Sequence, residues 1–83
     1  MNLHEFPDHI HSRSDFIAFV HQLRQELLRS PEQWENVSLE RYLEAVAAWV
    51  EDAEGYTGYQ EEQIPGSSWR WFSVILLAAT TYE

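Results

Sequence analysis

Leu39, Leu43, Val46, Val50 and Ala53 recur at intervals of four, three, four and three residues. That rhythm places them on one side of an α-helix, where each residue advances the chain by about 100°. Two other stretches keep the same beat. Phe16, Val20, Leu23 and Leu27 are spaced four, three and four apart, with Ile17, Phe19 and Leu28 widening the stripe. Near the end, Phe72, Ile75, Leu76 and Ala79 share one helical face. Strand-favouring Trp, Ile, Val and Thr are common there too, but 68–82 holds no turn signal and is long for a strand.

The ends of these segments carry their own signals. Ser12 and Asp15 form a Ser-x-x-Asp start, with Ser14 as an alternative cap, and Pro31 disfavours helical geometry at Ser30. Ser30-Pro31-Glu32-Gln33 then reads as one short helical turn, capped by Ser30, that drops Trp34 onto the core. Ser38 caps the second helix, Val37 and Tyr42 are placed for a hydrophobic staple, and Gly55 is a natural terminator.

The expectation is a single all-α domain over 1–83. It is a small three-helix bundle with helices at about 14–30, 38–54 and 68–82, and a short extra helical turn between helices 1 and 2. A polar leader over 1–11 and a loop over 55–67, which holds all three Gly, complete it. The last helix is apolar almost all round from Trp71 to Ala79. It is therefore expected as the central element, packed by the other two or covered by a second copy of the chain.

Five Arg, no Lys and 14 acidic residues leave a net charge of −9. Such a chain repels nucleic-acid phosphates and anionic membrane surfaces, and its field favours basic partners. Without Cys there is no disulfide, thiol nucleophile or zinc-thiolate site. The N-terminal residues lack the cationic start and apolar run of a signal peptide, so the expected location is the cytoplasm.

Catalytic patterns are missing. There is no Lys for Schiff-base or P-loop chemistry, and no Gly-x-Ser-x-Gly, His-Glu-x-x-His or Glu-x-x-His unit. Glu51 to Glu62 spans the length of a calcium loop, but Ala53, Gly55 and Tyr56 stand where such a loop needs two oxygen ligands and then Gly. His4, His9 and His11 cluster near Asp8 in the leader, with no scaffold to fix a metal's geometry. Glu40 and Glu44, and Glu44 and Glu51, share a helix face at a spacing that a solvated surface explains as well as catalysis does. No enzyme, metal or cofactor is expected.

Two features break local rules. Glu51, Asp52 and Glu54 crowd the C-terminal end of helix 2, where the macrodipole favours cations, and Glu61 and Glu62 follow. Four Trp is several times the usual share for a chain of this length, and Trp is enriched at binding hot spots. Trp34, Trp49 and Trp71 are expected in the core. Trp69 and Trp71 lie about 200° apart round a helix, so one face cannot bury both. Trp69, beside the loop tyrosines Tyr56 and Tyr59, is the one expected near the surface. Together Glu51, Asp52, Glu54, Tyr56, Tyr59, Glu61, Glu62 and Trp69 make a candidate partner-binding surface.

The order Trp34-Glu35-Asn36, Ser38-Leu39, Tyr42-Leu43, Ala45, Trp49, Trp69/Trp71 and Tyr82-Glu83 resembles a family of small bacterial proteins known only as a domain of unknown function. The likeness runs from about Ser14 to Glu83. It implies a stand-alone bacterial cytosolic protein and assigns no catalytic or ligand residue. The expected role is a non-enzymatic protein-binding module, an immunity- or antitoxin-like inhibitor of a basic partner. A structural homodimer, or a small carboxylate- or metal-dependent enzyme, is the alternative.

Overall fold

The computed structural model of the protein describes residues 7–57 and 64–82, without the side chains of 54–57. It is all-α: three helices, α1 (Arg13–Arg29), α2 (Leu39–Thr57) and α3 (Gly66–Ala78), with a 3-10 turn at Pro31–Gln33 between the first two. There is no strand among the described residues. The chain groups into two compact units, Met1–Ala45 and Val46–Glu83, divided within α2.

In the first unit, α1 starts where its cap dictates. The Ser12 hydroxyl accepts the Asp15 amide at 3.1 Å, and the Asp15 carboxylate accepts the His11 amide at 3.0 Å. The first bond satisfies one of the amides that a helix start leaves free, and the second holds the residue just before the cap. The half-buried residues Phe16, Phe19, Leu23 and Leu27 form the inner stripe, while Ile17, Val20 and Leu28 are exposed. At the other end Arg29 pairs with Glu26, and the Ser30 amide donates to the Glu26 carbonyl at 2.9 Å.

The Pro31–Gln33 turn forms as expected, but its cap differs. The Ser30 hydroxyl makes no capping bond; the Ser30 backbone carbonyl accepts the Gln33 amide at 3.0 Å instead. Proline at the first position has no amide to satisfy, so the turn needs less help from a side chain. Trp34 follows, half-buried, its ring 6.4 Å from that of Tyr42 and tilted by 33°. Ser38 then caps α2, its hydroxyl accepting the Arg41 amide at 3.2 Å.

Helix α2 runs past Gly55 to Thr57, three residues beyond the expected end. A glycine inside a helix costs only about 1 kcal/mol, and it ends one only when the chain takes a left-handed cap there. In the second unit Ala53 is buried, at 3% exposure. Helix α3 begins two residues earlier than expected, after Pro65, whose carbonyl accepts the Ser68 amide at 2.9 Å. It ends at Ala78, short of the expected 82, in a turn where the Thr80 hydroxyl donates to the Leu77 carbonyl at 2.7 Å. The loop is shorter than the expected 55–67, since 55–57 belong to α2 and 66–67 to α3; its residues 58–63 lie outside the described residues.

Candidate functional site

Of the expected partner-binding residues, the side chains of Glu51, Asp52 and Trp69 are described; those of Glu54, Tyr56, Tyr59, Glu61 and Glu62 lie outside. Glu51 and Asp52 are exposed on α2. Adjacent in sequence, they point about 100° apart round the helix, so they face different sectors of solvent.

The tryptophans depart from expectation. Trp69, expected at the surface, is half-buried, its ring 5.9 Å from that of Phe72 and tilted by 56°. Trp49 and Trp71, expected in the core, are 54% and 66% exposed. The angular argument was sound, since one of Trp69 and Trp71 stays outside, but the pair is the other way round. The reason is local: three residues on, Phe72 gives the Trp69 ring a flat apolar neighbour on its own helix.

Trp49 is the residue that the sequence reading left out of the site. It lies three positions before Asp52, a spacing that stacks side chains along one helix face. An exposed indole therefore stands beside an exposed carboxylate, with Glu51 on the neighbouring flank. The signal was present: Trp49 stands beside the repeat Leu43, Val46, Val50 and not within it.

The first unit contains a groove of about 310 Å³ between α1, Trp34 and the start of α2. Val20, Leu23 and Leu27 form one wall, and Trp34, Val37, Leu39 and Tyr42 the other. Val37 and Tyr42, the expected staple, thus line one hollow. Arg24, Asn36 and the hydroxyls of Ser38 and Tyr42 are its polar groups, and the lining includes no carboxylate or imidazole. Ser38 already serves as the α2 cap. What remains can bind apolar surface but holds no acid–base pair.

His9 and His11 are exposed, and His4 lies outside the described residues. Among the described residues no group of three or more His, Asp or Glu is placed to hold a metal ion. No described helix is long and apolar enough to cross a membrane. Residues 12–83 match the model of a family described as Family of unknown function (DUF7660). No curated protein and no solved structure matches the chain.

Proposed function

The chain belongs to the DUF7660 family, and from that premise, which brings no activity with it, we propose that it is a non-enzymatic protein-binding module acting on a basic partner in the manner of an immunity or antitoxin protein. The observation that carries this reading is the exposed Trp49 with exposed Asp52 and Glu51 on α2. A half-exposed indole supplies the large, rigid contact area typical of interface hot spots, and flanking acids orient a cationic surface against it. The net charge of −9 extends that attraction beyond the contact itself and speeds encounter at low salt.

The experiment is capture from a native lysate at low and high salt, with the wild-type chain and two variants. A basic protein is retained at low salt and released as salt rises. The variant Glu51→Gln/Asp52→Asn retains several-fold less, and Trp49→Ala loses capture at both salt levels. Retention of no basic protein, or equal retention by all three chains, contradicts the proposal.

A further inference from the structure

We draw no further inference here: the strongest candidate, the apolar groove of the first unit between α1, Trp34 and the start of α2, is an unpartnered face, and nothing in the structure shows what covers it.

Discussion

Helices α1 and α3 reach the same backbone state by different means. The first is written in side chains. The Ser12 hydroxyl accepts the Asp15 amide of its opening turn, and the Asp15 carboxylate holds the His11 amide before the cap. Asp15 also sits at the positive end of the helix dipole, and Arg29 sits at the negative end. Its apolar residues occupy one stripe, and Arg and Glu punctuate the rest. Helix α3 has none of this. Its first and last turns carry no charge, its N-cap is Pro65 without a side-chain bond, and apolar residues cover most of its circumference. The first helix declares where it starts and which way it faces. The second declares only that it prefers to be away from water.

That contrast is sharpest under a proline. Val74→Pro removes an amide from the middle of α3 and forces its ring against the carbonyl four residues back, at a cost of about 3 kcal/mol or more. With no side-chain cap at Pro65 to hold the first turn, the helix should come apart over most of its length. Far-UV circular dichroism is expected to lose most of the signal of a 13-residue helix. Unchanged ellipticity would mean that 66–78 is not helical, and the comparison would fail with it.

The same contrast explains what could be read in advance. Caps are local chemistry, so the α1 start is visible in Ser12 and Asp15 and the α2 start in Ser38; each appears within a residue of its expected place. Pro65 acts through its fixed φ and its carbonyl, and so the start of α3 was misplaced by two residues. Gly55 misled for a related reason: a left-handed cap is one option among several for glycine, and no spacing reveals which one the chain takes. The aromatics were hardest. Whether an indole turns inward depends on neighbours such as Phe72 for Trp69, and periodicity alone placed Trp49 and Trp71 on the wrong side.

A smaller change tests the first helix alone. Ser12→Ala removes the oxygen that accepts the Asp15 amide while leaving backbone and volume nearly unchanged. Losses at such caps are typically about 1 kcal/mol. Urea denaturation should show a lower midpoint at an unchanged slope. Ser12→Asn, which restores an acceptor, should recover most of the loss. If alanine costs nothing, α1 is held by its apolar stripe and not by its cap, and the two helices are more alike than their ends suggest.

The smallest expected effect sharpens the other side of the comparison. Gly66 opens α3, and a Cβ built there meets nothing within 4 Å. Its φ also lies outside the left-handed range that only glycine tolerates well. Glycine therefore supplies nothing to the folded state at this position that alanine lacks, while it enlarges the entropy of the unfolded chain. Gly66→Ala should raise stability by about 0.5 kcal/mol through the unfolded state, with no new contact needed. In the same urea experiment the midpoint should rise while ellipticity stays level. A fall in the midpoint would show that the space beside Gly66 is occupied in solution, by a second chain or by the protein's own, and that the start of α3 is held by packing after all.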